Sequence, residues 1–197
     1  NNGKVYTWGH TKITDVIDLK DIPEEVQQAK IVQIAAGYDH IAAVDENGRF
    51  YVWGNDRLGQ AMLPSDITTA MMMKRDLGIK QLEAGFQFTA AVTEDGKVFL
   101  WGNGNMADIK IRREYMGQVD KIAVTSYGYV SLLKDGSVAY TGLKKDVAIA
   151  QIPEELVGRT DIVDIAASRD TIAAVDAAGS GQPHDENASF FGGVSGN

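Results

Sequence analysis

The hydrophobic and polar positions of this chain alternate in short runs, and the same runs return after 40 to 48 residues. Residues 31–54 read IVQIAAGYDHIAAVDENGRFYVWG, and residues 79–102 read IKQLEAGFQFTAAVTEDGKVFLWG. The two segments are identical at 11 of 24 positions without a gap, where ordinary composition would give about one or two matches. This self-similarity predicts a repeat architecture in which each unit buries its apolar side against its neighbours.

Each unit predicts three antiparallel strands. An alternating apolar run is followed by a Gly-containing corner, a second run, an acidic turn ending in Gly, and an aromatic run closing in Trp-Gly. Residues 119–142 follow the same frame, with Thr141 where the earlier units have Trp53 and Trp101. The turns predict two-residue hairpins, in which both central residues take positive φ. They are Glu46-Asn47-Gly48, Glu94-Asp95-Gly96 and Lys134-Asp135-Gly136.

The connectors between units predict short helical turns and a further strand. Ile22-Pro23 and Ile152-Pro153 place Pro at a first helical position, and acidic residues follow where the helix dipole favours them. Residues 65–76 predict a capped helix whose Met71-Met72-Met73 run packs into irregular gaps. A fourth strand of the unit is expected around Val16 to Leu19.

The two ends of the chain predict a closed ring. Residues 162–179 supply the first 18 positions of a fourth unit and stop at its turn glycine, Gly179. Residues 3–9 fit the last seven positions of the unit. We therefore expect an all-β, β-propeller-like domain of four blades over residues 1–179, in which the N-terminal strand completes the last blade. The alternative is an open set of units from a longer array.

The remaining segment has a different character. Residues 180–197 lose the repeat and are rich in Gly, Ser and Asn, which is typical of a linker or a junction. Since the first residue is Asn1 rather than Met, we expect a host polypeptide on one or both sides of the repeat domain.

Composition excludes several classes of function. The 19 Lys and Arg residues stand against 27 Asp and Glu residues, and the net charge of −8 opposes binding to a phosphate backbone, so no nucleic acid partner is expected. The chain has no cysteine, which removes disulfides and thiolate metal sites. It also lacks a run of about 18 apolar residues, so this segment is not expected to insert into a membrane.

Three sequence segments, IAAGYDHIAAV, DENGRFYVWG and WGNDRLGQ, resemble the repeats of the regulator of chromosome condensation family. The short spacing between units is similar to that of the propeller-type β-lactamase inhibitory protein. The resemblance covers residues 3–179 and implies blades of four antiparallel strands around an axis, usually more blades than four. The exchange and nucleosome-binding role of the founding member depends on features that this short acidic chain does not show, and fold alone does not select a function.

The variable corners on one face of the propeller are the expected binding surface. In an up-and-down blade, the connections between first and second strands and the loops after third strands emerge together, whereas the acidic turns emerge on the other face. Aromatic and Arg side chains often anchor interfaces because they bury large areas at low rotamer cost. The expected partner-binding residues are Tyr38, Asp39, Phe86, Gln87, Tyr127, Arg169, Asn55, Arg57 and Asn103.

Other aromatic positions are expected to pack inside the blades. The last position of each corner is expected to point inward, at His40, Phe88 and Tyr129. The tryptophans that recur at one phase of the repeat are also expected in the core, with the alternative that they line a binding face: Trp8, Trp53 and Trp101.

Three classes of function follow, and neither a cofactor nor a metal site is expected in any of them. The leading class is a non-enzymatic protein-interaction or scaffolding module with a protein partner. The second is a domain inserted in a bacterial membrane protein such as an ABC transporter permease, on the extracytoplasmic face. The third is a hydrolase on a propeller scaffold, which requires a perturbed cluster of acids or histidines. It is disfavoured because His10, His40 and His184 lie in no nucleophile elbow or metal-ligand spacing.

Overall fold

A computed structural model describes residues 2–103, 113–126, 128–142 and 152–177, and it confirms a mostly β, propeller-like repeat fold. Each unit forms its own antiparallel sheet with the strands in chain order. The first unit contains β1 (Ile31–Ala36), β2 (His40–Asp45) and β3 (Phe50–Gly54), and the second contains β4 (Ile79–Ala84), β5 (Phe88–Thr93) and β6 (Val98–Gly102). The third contains β7 (Val119–Val124), β8 (Gly128–Leu133) and β9 (Val138–Gly142), and the last contains β10 (Ile162–Ala167) and β11 (Ile172–Asp176).

The four sheets share one register, which confirms that the units are equivalent. In each sheet the first residue of the first strand opposes the last residue of the middle strand, and a bulge follows at once. These opposing pairs are Ile31–Asp45, Ile79–Thr93, Val119–Leu133 and Ile162–Asp176. The first strands contact one another from unit to unit, in the order β1, β4, β7 and β10.

The hydrophobic core lies between successive sheets. Alternate residues of a middle strand face opposite neighbours because side chains along a strand repeat with a period of two. Ala42 and Val44 of β2 therefore pack with Leu82 of the second unit, whereas Ile41 and Ala43 pack with the N-terminal segment. The same arrangement recurs between the second and third units and between the third and the last.

Side-chain amides also join the first strands of neighbouring units. Gln81 Nε2 donates to the carbonyl of Ile122 at 2.7 Å, and Gln81 Oε1 accepts from the Ile122 N–H at 2.8 Å. In the preceding unit, Gln33 Nε2 donates to the carbonyl of Ile79 at 2.6 Å. A glutamine amide thus acts as a strand neighbour where two sheets meet, since it carries both a donor and an acceptor.

The glycines that end the turns have positive φ, as predicted, but the turn type differs. The φ angle is +76° at Gly48, +84° at Gly96 and +81° at Gly136, whereas Gly179 lies outside the described residues. In the first turn, the Gly48 N–H donates to the Asp45 carbonyl at 3.0 Å. The loop is longer than a two-residue hairpin, and only its glycine needs the left-handed conformation. The prediction that both central residues have positive φ was wrong.

The fourth strand expected around Val16 to Leu19 is also wrong. Lys12 and Asp18 form only an isolated bridge in this connector. The hydroxyl oxygen of Thr14 accepts hydrogen bonds from the Val16 N–H at 3.3 Å and the Ile17 N–H at 3.1 Å. This local turn occupies the backbone donors that a strand would offer to its neighbour.

The connectors carry helical turns at the three predicted places, α1 (Glu24–Gln28), α2 (Ser65–Met72) and a 3-10 turn (Glu154–Leu156), and a further 3-10 turn that was not predicted (Arg113–Tyr115). Pro23 and Pro153 each lie one position before the first helical residue. Met71 packs against the core, but Met72 and Met73 are exposed, so one of the three fills a gap as predicted. None of the helices in the described ranges is long and apolar enough to span a membrane.

The N-terminal strand does not complete the last sheet, contrary to the prediction. Among the described residues, β10 and β11 form a two-stranded sheet, and residues 2–8 adopt no strand. The carbonyl of Gly3 instead accepts from the Ile31 N–H at 3.1 Å, and Val5 packs into the core of the first unit. These contacts hold the N-terminal segment beside β1 of the first unit. Since the segment does not pair with β11 of the last unit, the described units form an open arc. Residues 178–197 lie outside the described residues, and the boundary at residue 179 stays a prediction.

Candidate partner-binding face

The corners between first and middle strands lie side by side on one face of the arc. The Tyr38 N–H donates to the Gly85 carbonyl at 3.3 Å, which joins the corners of the first two units. The Ser126 N–H donates to the Arg169 carbonyl at 2.8 Å, which joins the corners of the third and last units. The backbone therefore fixes neighbouring corners relative to each other, and we call this surface the corner face.

Tyr38 and Phe86 form an aromatic pair on the corner face. Their ring centroids are 4.5 Å apart and their planes are tilted by 33°. Tyr38 is 66% exposed, whereas Phe86 is half-buried. Ring contacts of this kind contribute about 0.5–1.5 kcal/mol beyond the area that they bury. The pair presents apolar surface whose rotamers are already restricted.

Asp39 follows Tyr38 in the chain but lies inside the corner, at 2% exposure. Its carboxylate accepts from Asn55 Nδ2 at 2.8 Å and from Gln60 Nε2 at 3.4 Å, and it lies 3.3 Å from His40 Nδ1. Burial raises the pKa of Asp39, but the hydrogen bonds from His40 and Asn55 outweigh burial and hold the pKa below its usual value. Asp39 was expected on the binding surface, but its carboxylate is buried and organises the loops.

An Asp–His–Thr set continues from this network, but it is closed to solvent. His40 Nε2 lies 2.8 Å from Thr89 Oγ1 in the next unit, and both residues are 0% exposed. A hydrolytic triad needs a hydroxyl that reaches its substrate. The set therefore joins the first unit to the second. The described residues also contain no group of three or more His, Cys, Asp or Glu side chains that could hold a metal ion.

Glu83 on β4 is an acid with a raised pKa, and burial is the cause. The Gln81 amide, which donates to Glu83 at 3.0 Å, and the charge of Lys121 oppose this rise. These neighbours are an amide and a cation rather than a second acid or a histidine. In the described part of the chain, Glu83 therefore does not form the acid or histidine cluster that a hydrolase requires.

Asn55 and Asn103 hold the loops after β3 and β6 to the corners. The backbone N–H of Asn55 donates to the Asp39 carbonyl at 2.8 Å, and that of Asn103 donates to the Gln87 carbonyl at 2.9 Å. Asn103 Nδ2 also donates to Gln87 Oε1 at 2.9 Å. Asn103 was expected on the binding surface, but it is buried. Asn55 and Gln87 are half-buried and take part in the same links.

Arg57 and Arg169 are exposed in separate loops. Arg169 Nε lies 3.2 Å from Asp170 Oδ2 in a pair that solvent screens, so the pair restrains the guanidinium only weakly. The Arg57 N–H donates to Asn55 Oδ1 at 3.1 Å. Tyr127 lies outside the described residues. Of the predicted partner-binding residues, the structure thus brings Tyr38 and Phe86 into direct contact.

The aromatic residues expected in the cores are buried, with one exception. Exposure is 3% or less at the last corner positions, His40, Phe88 and Tyr129. Trp53 and Trp101 are buried as well, but Trp8 is 84% exposed. The core prediction is wrong for Trp8, because residues 2–8 lack the paired middle strand that accompanies the equivalent tryptophans.

Sequence reasoning missed three residues in the loop after β3. Gln60 is fully buried, and its carbonyl accepts from Trp101 Nε1 at 2.9 Å, in addition to its side-chain contact with Asp39. Leu58 and Met62 are 41% and 71% exposed and add apolar surface to the same loop. The two large apolar residues Leu58 and Met62, close to the polar residues 55–57, were a usable signal, whereas nothing in the sequence marks Gln60 as buried.

The first two units match a known repeat. Residues 31–60 and 79–106 match the model of the regulator of chromosome condensation (RCC1) repeat. Among curated proteins, the chain is 36% identical to Protein pim1 of Schizosaccharomyces pombe, over 32% of this chain and 14% of that protein. It is 35% identical to Guanine nucleotide exchange factor SRM1 of Saccharomyces cerevisiae, over 30% of this chain and 15% of that protein. The matches cover a small part of either relative.

Solved structures extend the likeness to most of the chain. Prp20p from Saccharomyces cerevisiae, whose structure was reported with its binding properties to Gsp1p and histones, has a TM-score of 0.54 and 19% identity over 76% of this chain and 44% of that one. Human WBSCR16 has a TM-score of 0.55 and 16% identity over 79% of this chain and 46% of that one. The chain spans less than half the length of these structures, and at such identity the likeness shows the fold. The first two units of the chain therefore match the regulator of chromosome condensation (RCC1) repeat, and the chain has the propeller-like fold of these solved structures.

Proposed function

We propose that this chain is a non-enzymatic protein-interaction module that binds its partner through the corner face. The exposed contact between Tyr38 and Phe86 carries the proposal. Large aromatic side chains on a surface lose little rotamer entropy on binding when a neighbouring ring already restricts them. The Tyr38–Phe86 pair would form the centre of the interface, and Arg57 and Arg169 would contribute polar contacts from neighbouring loops.

The buried network under the corners supports the same function. Asp39, His40, Asn55 and Gln60 bond to one another and fix the backbone that carries Tyr38. A binding surface held by buried hydrogen bonds needs little rearrangement when a partner arrives. The polar groups that catalysis would need are therefore engaged in positioning the loops.

The relatives support protein binding in general. Prp20p was characterised with its binding properties to Gsp1p and histones, and another structure shows Kap60 bound to yeast RCC1. The exchange activity in the name of SRM1 belongs to that protein, of which the match covers 15%. The comparisons give no support to insertion in a bacterial membrane protein, since the curated relatives described here are eukaryotic.

The test is a pull-down with the Tyr38→Ala/Phe86→Ala double variant, followed by mass spectrometry of the captured proteins. Proteins that the wild-type chain retains should be lost, because truncation of hot-spot aromatics costs about 2 kcal/mol or more in binding free energy. The matched control is Met72→Ala, which removes an exposed apolar side chain from α2 outside the corner face. Equal capture by the wild type and the double variant would show that the corner face is not the interface.

A further inference from the structure

The two ends of the arc expose apolar side chains that are buried at every equivalent position inside it. At the β11 end, Val175 is 53% exposed, whereas its equivalents are at most 3% exposed: Val44, Val92 and Leu132. At the β1 end, Ile34 is 49% exposed, whereas its equivalents are at most 7% exposed: Leu82, Ile122 and Ile165. The interior residues of these sets pack against one another across each boundary between units. Each end of the arc is therefore one half of an interface that the chain forms three times internally.

The N-terminal segment forms no strand, but its contacts with the first unit are those of a third strand. The Gly3 carbonyl accepts from the Ile31 N–H, as the Gly96 carbonyl accepts from the Val119 N–H two units later. Val5 packs into the core of the first unit, in the place that Val98 has in the core of the third. The segment thus has the packing of a third strand, with its outer residues exposed.

Those outer residues are aromatic. Tyr6 and Trp8 are 73% and 84% exposed, whereas their equivalents Tyr51 and Trp53 are both 7% exposed. In a complete unit, these positions pair with a middle strand, as Tyr51 pairs with Ala43 and Trp53 with Ile41. β11 is a middle strand that has no third strand among the described residues. The β1 end of the arc therefore carries a segment with the packing of a third strand, and the β10–β11 sheet at the other end has no third strand among the described residues.

We propose that two copies of this chain dock head to tail, and that residues 4–8 of one copy complete the β10–β11 sheet of the other. The composite sheet buries Val175 and Ile34 in the way that Leu132 and Ile165 are buried inside one chain. Both ends of each copy take part, so the two copies form a closed ring with two identical heterologous junctions. The proposal does not depend on the corner face.

The second residue of each first strand fits this junction. Inside the arc, Lys80 and Asp120 occupy this position in neighbouring units, and Lys80 Nζ lies 2.7 Å from Asp120 Oδ1. At the two ends, the same position holds Val32 and Val163, which are 55% and 54% exposed. A head-to-tail junction brings these two valines together. Val32 and Val163 would then make an apolar contact at the position where the second and third units have the Lys80–Asp120 salt bridge.

A second copy is the occupant because one chain does not bring its own halves together. The segment that carries Tyr6 and Trp8 is held at β1 by Gly3 and Val5, whereas β11 lies at the far end of the order β1, β4, β7 and β10. Both halves of the junction are nevertheless present on every copy.

Sedimentation velocity on the whole chain tests the association. The wild type should sediment as a dimer, and Val175→Lys should sediment as a monomer because it places a charge in the junction. Val16→Lys is the matched control, since Val16 is an exposed valine of a connector, at 81% exposure. It should remain dimeric. Circular dichroism checks that both variants fold. A monomeric wild type, or equal association of both variants, would overturn the proposal.

Disulfide cross-linking tests the geometry, because the chain contains no cysteine of its own. The register of β2 and β3, where Ala42 opposes Val52, places Ala173 opposite Thr7 in the composite sheet. Mixing Thr7→Cys with Ala173→Cys should give a covalent heterodimer on oxidation, and mixing Val16→Cys with Ala173→Cys should not. If the mixture fails to cross-link while a Thr7→Cys/Ala173→Cys double variant forms an internal disulfide, the ring closes within one chain and the proposal is wrong. No cross-link in either experiment would also reject it.

Discussion

Trp53 and Trp101 occupy the same position in successive units, but their indole groups differ in hydrogen bonding. Trp101 Nε1 donates to the Gln60 carbonyl at 2.9 Å, whereas the buried Trp53 Nε1 has no hydrogen-bond partner among the described residues. A buried donor without a partner costs about 1–3 kcal/mol of desolvation free energy. The loop after β3, which carries Gln60, therefore provides a hydrogen-bond acceptor for the indole N–H of Trp101 but not for that of Trp53.

This difference predicts unequal effects of the same substitution. Trp101→Phe should lower the free energy of unfolding by about 1–3 kcal/mol more than Trp53→Phe, since only the first loses a hydrogen bond. Both variants lose a similar volume, so each serves as the control for the other. Urea denaturation followed by circular dichroism gives the two values. Equal losses would show that the hydrogen bond to Gln60 contributes nothing measurable.

Residue burial could be predicted where the repeat itself constrains it. His40 and Phe88 share one phase of the repeat, and both are buried as expected. Asp39 could not be placed correctly, because an acid beside an exposed tyrosine in a corner has the local pattern of a surface residue. Its burial depends on Asn55 and Gln60, which reach it from a loop after the third strand.

At the scale of single elements, the acidic turn is defined by its glycine. Gly96 has a φ of +84°, and a Cβ atom on it would lie 2.6 Å from the Gly117 carbonyl oxygen. Gly9 also has a positive φ, of +95°, but a Cβ atom there would meet nothing within 4 Å. Substitution of Gly9 therefore measures the free-energy cost of a left-handed backbone alone. Substitution of Gly96 adds the cost of a steric clash between the new Cβ atom and the Gly117 carbonyl.

Alanine substitutions at the two positions should therefore differ. Gly9→Ala should cost about 1–2 kcal/mol, which is the usual penalty for a left-handed residue with a Cβ. Gly96→Ala should cost more than about 2 kcal/mol, because the new methyl group also displaces the Gly117 carbonyl. Thermal unfolding of both variants measures the difference. Equal shifts in melting temperature would mean that the connector around Gly117 accommodates the new methyl group at no measurable cost in stability.

Strands could be predicted from the sequence more successfully than connectors. The three strands of a unit follow from alternation and from the aligned turns, and the register is the same in all four sheets. The connector strand failed because the hydroxyl of Thr14 bonds locally to the Val16 and Ile17 N–H groups. Competition of this kind between side chain and backbone leaves little trace in a hydrophobic pattern.

At the scale of the whole molecule, the main contacts between the described strands of different units join adjacent units. The amide of Gln81 makes two hydrogen bonds to the backbone of Ile122, and the adjacent Lys80 forms a partly exposed salt bridge with Asp120. These neighbouring residues join the same two units by different means.

The amide should contribute more to stability than the charge. Gln81→Ala should lower the free energy of unfolding by about 1–3 kcal/mol, because it leaves backbone groups of Ile122 without partners. Lys80→Ala should change it by less than about 1 kcal/mol, as expected for a salt bridge near the surface. Guanidinium denaturation of the two variants provides the comparison. A larger loss for Lys80→Ala would contradict this ranking.

Closure of the ring could not be predicted from the repeat alone. The match of residues 3–9 to the end of a unit correctly identified a segment with the packing of a third strand, as the contacts of Gly3 and Val5 show. Sequence similarity does not determine which sheet such a strand joins, since that depends on the rotation between successive units. Side-chain identity carries little information on that angle.

The use of backbone atoms at the boundaries between units has an evolutionary consequence. The carbonyls of Gly96 and Gly136 accept from the first residue of the next unit whatever side chain that residue carries. A unit produced by gene duplication therefore keeps this backbone hydrogen bond whatever its first side chain is, and only the side-chain contacts at the boundary need to adapt. The third unit, which tolerates Thr141 in place of tryptophan, shows how far such a copy can drift while it still stacks on its neighbours.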